Sequence, residues 1–346
     1  MYYLVDNATT LNPSLTGTPA LMSQATDYTD GEKAIEFGGR VCYNSITKMG
    51  TAPEFIANCM RNEHYDVAEH GHAVLFVAED KKLLDKARFL NTYEWDKNFY
   101  VSGNLRAWHD FLIDYPIRRR VSREKLRLQL ARVSPKIFGL PDETPSYPVY
   151  VNIPNMYYTP NTPVSRDPRV QLIAYDRQIY TMPQMAQSLN RCTFYLTGVS
   201  RYLTHQLVRH RLFSYSQMSQ RYVDPEKADW GVIEPPSIAA NEAAHQIYQV
   251  AKANAFTAYR SLRDLGIAKE DARYALLGST ETSIVVSGYF KDWQHYFYQR
   301  LDRAAQWEIR EVSEVMQDLL QQIAPTVLCP FDNVSRETLE VYASLS

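Results

Sequence analysis

The chain has 346 residues, 45% of them hydrophobic and 22% charged, with a formal net charge of −2. That is enough chain for one large core or two ordinary ones, and the near-neutral balance excludes a global attraction to nucleic acid or anionic membrane, so any anion site has to be local. No apolar run approaches the roughly 20 residues of a membrane span, MYYLVDNATT lacks the basic and apolar regions of a signal peptide, and Cys42, Cys59, Cys192 and Cys329 show neither a CxxC pair nor a metal-like His spacing; the expectation is a cytoplasmic protein with reduced thiols and no metal.

Residues 30–44 and 53–63 read as helices, the first with an apolar stripe of Ala34, Ile35, Phe37 and Val41 and with Asp30 placed to cap it. HAVLFVAED (72–80) reads as a strand running into a turn, and 104–113 and 118–132 as helices. Residues 117–132 hold seven Arg or Lys and one Glu. With no aromatic interleaving for base stacking, this stretch reads as a solvated helix face covering the next segment rather than a nucleic-acid-binding arm. Residues 134–168 contain eight prolines and little periodicity, as a linker or long surface loop would. Strands are expected at 170–175 and 192–198, then helices at 199–212, 240–265, 269–277, 289–299 and 302–322. The expected organisation is an N-terminal segment (1–133), a Pro-rich linker (134–168) and a C-terminal segment (169–346).

A partial internal repeat spans the linker. Ala-Arg recurs at 87–88 and 272–273, Val-Ser-Gly at 101–103 and 286–288, and Trp at 108 and 293, all at one gap-free offset of 185. This reads as partial duplication. Strands at 73–78 and 192–197 form a looser second pair at a different offset.

The most informative stretch is RHRLFSYSQMSQRY, residues 209–222. Arg209, His210 and Arg211 are adjacent cationic or protonatable groups that repel one another and call for an anion or for water. Gln206, Ser214, Ser216, Gln217, Ser219 and Gln220 supply neutral hydrogen-bond groups around them, of the kind that orient a phosphate or a nucleobase.

Arg-His-Arg, seven residues, then Ser resembles the signature of the flavin-dependent thymidylate synthases (the ThyX family). The flanks TFYLTGVSRYLTHQLVRHR and SQRYV resemble it too, as do EDARYALLGSTET, VVSG and DWQHYFYQRLDRAAQWEIR downstream and EFGGRVCYNS and HYDVAEH upstream. Together these blocks cover about two-thirds of the chain, in the family's order. The resemblance implies an α/β fold of the α+β type, with a central antiparallel-rich sheet and long helices, assembled as a homo-oligomer: a tetramer, or a dimer if duplication has built a pseudo-dimer into one chain. It implies reductive methylation of dUMP at C5, with carbon from methylenetetrahydrofolate and reducing equivalents passing from NADPH through FAD. A related enzyme making another C5 product, such as a hydroxymethylase, and a non-catalytic nucleotide- or RNA-binding relative are the alternatives.

Site residues follow from the same resemblance. Arg209, His210 and Arg211 would hold FAD; Gln206, Ser219, Gln220, Arg221 and Arg273 would hold the dUMP phosphate; Arg300 would stabilise charge on the pyrimidine oxygens. Ser219, imaginable as a nucleophile, lacks a visible Ser-His-Asp arrangement and reads better as a phosphate donor. Glu69, with His70 beside it in HYDVAEH, would contact the flavin side. The family carries an Asn and an Arg just after the strand-turn of the repeat. The second copy departs, with Tyr289 and Lys291, whereas the first has Asn104 and Arg106. A division of labour is therefore expected, with Asn104 and Arg106 completing a flavin site built from the second half. Two further departures are Ala304, where a His often follows the substrate arginine, and His295, where the flavin side has an Asn; His109 reads as packing.

Overall fold

The computed structural model describes residues 2–5, 9–24, 28–77, 84, 87, 89–95, 98–115, 119–139, 150–151, 162–177, 188–224 and 230–324; most of the Pro-rich stretch, Arg88 and Cys329 lie outside these. Strands β1 (Tyr2–Val5), β3 (His72–Val77), β4 (Asn91–Trp95), β5 (Asn98–Asn104) and β6 (Tyr150–Val151) form one sheet, ordered β4-β5-β3-β1-β6. Strands β2 (Thr9–Leu11), β7 (Val170–Asp176), β8 (Arg191–Ser200), β9 (Ser214–Gln217) and β10 (Glu281–Tyr289) form a second, ordered β2-β7-β8-β10-β9. Every pairing is antiparallel except β1 with β6. The helices are α1 (Asp30–Cys42), α2 (Ala52–Arg61), α3 (Leu105–Ile113), α4 (Arg120–Leu130), α5 (Pro135–Phe138), α6 (Arg201–Leu207), α7 (Pro236–Ala239), α8 (Glu242–Asp264), α9 (Lys269–Ala272), α10 (Phe290–Arg300) and α11 (Trp307–Ile323). This is the expected α/β architecture, with two antiparallel-rich sheets in place of one.

Several element ends differ from the sequence expectation for local reasons. Thr29, not Asp30, caps α1, its hydroxyl accepting from Glu32 N, while Asp30 accepts from Leu11 N. The helix expected over 199–212 is α6 alone. It starts at the Ser200 cap and stops at Leu207, where Tyr215 Oη donates to the Leu207 and His210 carbonyls and satisfies a helix end. That early stop frees Arg209–Arg211 from the helix. The last helix starts at Trp307, not 302, because the Gln306 side chain caps it. In α4, Leu126, Gln129 and Leu130 are buried, Arg123 donates to Leu112 O, and Arg127 donates to the Phe138 and Gly139 carbonyls. The basic helix thus packs on the first sheet and closes over the start of the Pro-rich segment.

The repeat is real in three dimensions. β3 and β5 pair as β8 and β10 do: Ala73 faces Gly103 as Cys192 faces Gly288. Leu105 N donates to Gly71 O at 3.0 Å, and Phe290 N donates to Asn190 O at 2.9 Å. The β5-α3 and β10-α10 units are thus related by 185 residues, and β3 and β8 by 119, which accounts for the two offsets in the sequence. Each half has its own core, one around Trp108 and one around Trp293. A third cluster joins α1 to β7, β8 and β10 through Phe37, Ile173, Tyr195 and Val285.

The halves meet along a buried polar seam. His70 Nδ1 lies 2.8 Å from Ser287 Oγ and its Nε2 2.8 Å from Ser216 Oγ. Ser102 donates to Leu189 O and Tyr100 to Asn190 Oδ1, each at 2.5 Å. His72 Nδ1 lies 2.5 Å from Asp176 Oδ2, and its Nε2 2.8 Å from Ser102 Oγ. Since the single hydroxyl proton of Ser102 goes to Leu189, Nε2 of His72 donates, and one further proton is shared between Nδ1 and Asp176.

Glycine at 103 and at 288 lets the indole of the next helix lie against the strand. A Cβ on Gly288 would stand 2.3 Å from the Phe213 ring and 3.3 Å from Trp293 Nε1; one on Gly103 would stand 2.2 Å from Leu90 Cδ2 and 3.1 Å from Trp108 Nε1. Phe213 is locked in a stack on Trp293, centroids 4.1 Å apart, whereas Leu90 Cδ2 ends a flexible side chain. Gly288→Ala is therefore expected to cost about 1–3 kcal/mol by overpacking, and Gly103→Ala less; paired thermal or denaturant melts check the order.

Candidate active site

One cleft of about 600 Å³ dominates the second half. Its floor is the turn Arg209–Phe213, one wall is the α10 face Lys291, Asp292, His295, Gln299 and Arg300, and the opposite wall is Ser188, Leu189 and β4 residues Asn91, Thr92 and Tyr93. The site thus draws on both halves, through β4.

The lining is rich in cations: Arg209, Arg211, Lys291 and Arg300. No carboxylate among the described residues pairs with Arg209 or Arg211. Arg300 donates to neutral acceptors, His210 Nε2 at 2.9 Å and Gln206 O at 3.3 Å. Lys291 donates to Asn91 Oδ1 at 2.9 Å. The one carboxyl on the lining, Asp292, is pushed up to about 6 by burial, against the lowering influence of Lys291 and Arg191. Such an arrangement favours an anionic ligand, and its size suits a cofactor with aromatic parts.

His210 is the exception in the triplet. Burial, then Arg300, then His295 and Arg209 lower its pKa from 6.5 to about 4. At neutral pH it is an uncharged imidazole: Nε2 accepts from Arg300, and the ring packs edge-on to Tyr296 at 4.8 Å. The triplet therefore carries two charges, with the imidazole orienting Arg300.

A second group of expected residues sits apart from the cleft lining. Ser219 N donates to Cys42 O, and Ser219 Oγ accepts from Arg221 N at 3.2 Å, a turn-forming role. Gln220 is buried. Arg221 pairs with Glu270 at 2.5 Å, and Arg273 Nε donates to Glu270 O. Arg201, half-buried, has its pKa lowered by burial and then by the charge of Arg273. Gln206 turns its amide to Tyr202 O.

Glu69, Asn104 and Arg106 are not in the cleft. Asn104 caps α3, accepting from Ala107 N, and Arg106 pairs with Glu69 at 2.7 Å. Arg106 lines a different hollow of about 400 Å³, with Ala87, Phe89, Asp110, Phe111, Ile113 and Asp114. By the 185-residue offset, that hollow is the first half's counterpart of the cleft: Arg106 matches Lys291, Asp110 matches His295, and Asp114 matches Gln299. His70 is buried in the seam and stays neutral, its pKa lowered to about 3 by burial and by Arg191. Sequence reasoning missed Asn91, Thr92, Tyr93, Ser188, Leu189, Asp292 and Gln299. Only Asp292 and Gln299 carry a signal there, being one residue past Lys291 and one before Arg300.

Because the folded pKa of His210 is depressed, its contribution to stability is full above about 6.5, declines as pH falls, and levels off below about 4. NMR titration is expected to place the His210 midpoint near 4. Arg300→Gln should raise it, though not to 6.5, because burial remains the larger cause.

The family model described as "Thymidylate synthase complementing protein" matches residues 187–326. Flavin-dependent thymidylate synthases from Geobacter sulfurreducens and Nitratidesulfovibrio vulgaris are each 42% identical, over 135 and 141 residues; the matches cover 39% and 38% of this chain and 58% and 57% of those proteins. The one from Mycobacterium bovis is 37% identical over 155 residues, 40% of this chain and 61% of its own. The chain thus spans less than two thirds of the length of these relatives. Arg209–Arg211, Arg273 and Arg300 all fall inside the matched segment, and through residues 187–326 the chain is similar to the flavin-dependent thymidylate synthases.

Proposed function

We propose that the protein is a flavin-dependent thymidylate synthase, which methylates dUMP reductively to dTMP with FAD as cofactor and methylenetetrahydrofolate and NADPH as co-substrates. The observation that carries this reading is the cleft in which Arg209, Arg211, Lys291 and Arg300 converge, with Asp292 the one carboxyl on its lining. FAD, when bound, supplies hydride chemistry that activates the pyrimidine. The protein's part is to bind and orient. Arg209 and Arg211 hold the cofactor's anionic groups, with His210 as a neutral spacer and His295 on the flavin side. Arg300, aimed by His210 and the Gln206 carbonyl, stabilises negative charge developing on the pyrimidine oxygens. Gln206, Ser219, Gln220, Arg221 and Arg273 receive the dUMP phosphate. Burial pushes Cys42 and Cys59 up to about 11 and Cys192 well above its usual value, so none of the three cysteines among the described residues is a ready thiolate. Homo-oligomeric assembly and a cytoplasmic location belong to the same reading; no helix among the described residues is long and apolar enough to cross a membrane.

The purified protein is expected to be yellow, to bleach with NADPH, and to convert dUMP to dTMP by mass spectrometry in the presence of methylenetetrahydrofolate. Arg209→Ala should weaken FAD binding about 10- to 100-fold, the worth of one charged hydrogen bond. Arg300→Ala should lower turnover about 10²- to 10³-fold. Protein that takes up no FAD, or turnover unaffected by Arg300→Ala, overturns the assignment.

A further inference from the structure

Lys291 stands where the resemblance implies an arginine. A guanidinium presents a rigid planar fork, whereas an ammonium is a point charge on a flexible stem and has to be held in place. The holder comes from the other half of the chain. Asn91, first residue of the outer strand β4, accepts from Lys291 Nζ at 2.9 Å, and both residues line the cleft. Asn91 is fixed in turn by β4–β5 pairing, opposite Ser102, whose hydroxyl is tied to Leu189. Lys291 Nζ also lies 5.9 Å from the centre of the Tyr289 ring, which Arg191 covers at 4.8 Å. Asn91, the side chain that accepts from the ammonium, is neutral, and Asp292 beside Lys291 has its pKa pushed up to about 6 by burial. An amide orients the charge without cancelling it; a carboxylate at position 91 would neutralise it and take the place of an anionic ligand.

We infer that Asn91 is a positioning residue through which the first half of the chain completes the cofactor cleft, holding the Lys291 ammonium toward an anionic group of the bound dinucleotide, with Thr92 and Tyr93 as the facing wall. This rests on the flavin reading of the cleft. It moves the contribution of the first half from Asn104 and Arg106 to β4.

The test compares FAD dissociation constants, by flavin fluorescence, for the full-length protein and three variants, with a melting temperature for each. Asn91→Ala is expected to weaken FAD about tenfold, near the value of one hydrogen bond to a charged group. Asn91→Asp should weaken it further, to about a hundredfold, because the new carboxylate neutralises Lys291. Adding Lys291→Arg to Asn91→Ala should recover most of the affinity, since a guanidinium needs less holding. dUMP affinity should not change in any of them. Wild-type affinity in both single variants overturns the inference, as does a loss that follows melting temperature alone and is not recovered by Lys291→Arg, because Asn91 then only fastens β4 to the second half. A wild-type protein that takes up no FAD sinks the functional reading first, and this inference with it.

Discussion

The arrangement of the cleft depends on the polar seam between the two sheets. Its side chains are buried, so each unpaired donor or acceptor would cost about 1–3 kcal/mol, and each is placed so that its partner lies on the other half or on a neighbouring strand. His70 spans Ser287 and Ser216; Ser102 and Tyr100 reach Leu189 and Asn190. An apolar interface could slide by a fraction of a residue at small cost, but a network of this kind holds one register. That register sets the distance from β4 to α10, and therefore the width of the cleft. The His72–Asp176 pair anchors the seam. Burial raises Asp176, yet His72, Thr9 and the Arg191 backbone together hold its pKa below the ordinary value, while burial lowers that of His72.

The two halves share a fold and differ in the chemistry of equivalent faces. On α10, Lys291, His295 and Gln299 leave the cleft cationic. On α3 the same positions hold Arg106, Asp110 and Asp114, and Glu69 takes the arginine in a 2.7 Å pair. The first half therefore cancels its own charge and keeps two carboxylates beside its hollow, a poor place for a phosphate. Asn104 and Arg106 match the family pattern in sequence while serving local structure. The first half repeats the strand pairing of the second, and it lines the cleft through the edge strand β4.

Much of this was legible in the sequence because the signals were local or periodic. The Val-Ser-Gly and Trp pairs revealed the β5-α3 and β10-α10 units, since a glycine facing an indole Nε1 is a packing requirement that tolerates few alternatives. The Arg-His-Arg segment revealed the cation cluster, because adjacent like charges have few structural uses. Residues brought in by pairing left no such trace. Asn91 reaches the cleft because β4 hydrogen-bonds to β5 and the sheets meet at the seam, and no pattern near NTYEW indicates a site. From the sequence, residues 199–212 read as one helix. The stop at Leu207 is imposed by Tyr215, a residue outside the periodic window.

The protonation of the triplet follows from the same geometry. Three adjacent groups of one sign would repel one another; Arg209 and Arg211 are exposed to water, and the fold seats the middle one against Tyr296 and Arg300, where its charged form is disfavoured. Removing that one charge makes the other two tolerable, and it converts His210 from a competitor for anions into an acceptor that steers Arg300. A lysine or arginine at position 210 would lose both effects: it would add a third uncompensated charge and would have no lone pair to offer Arg300. The choice of imidazole between two guanidiniums is thus a choice of the one cationic side chain type that can be neutral at physiological pH, in a chain whose overall charge of −2 gives no help in gathering anions.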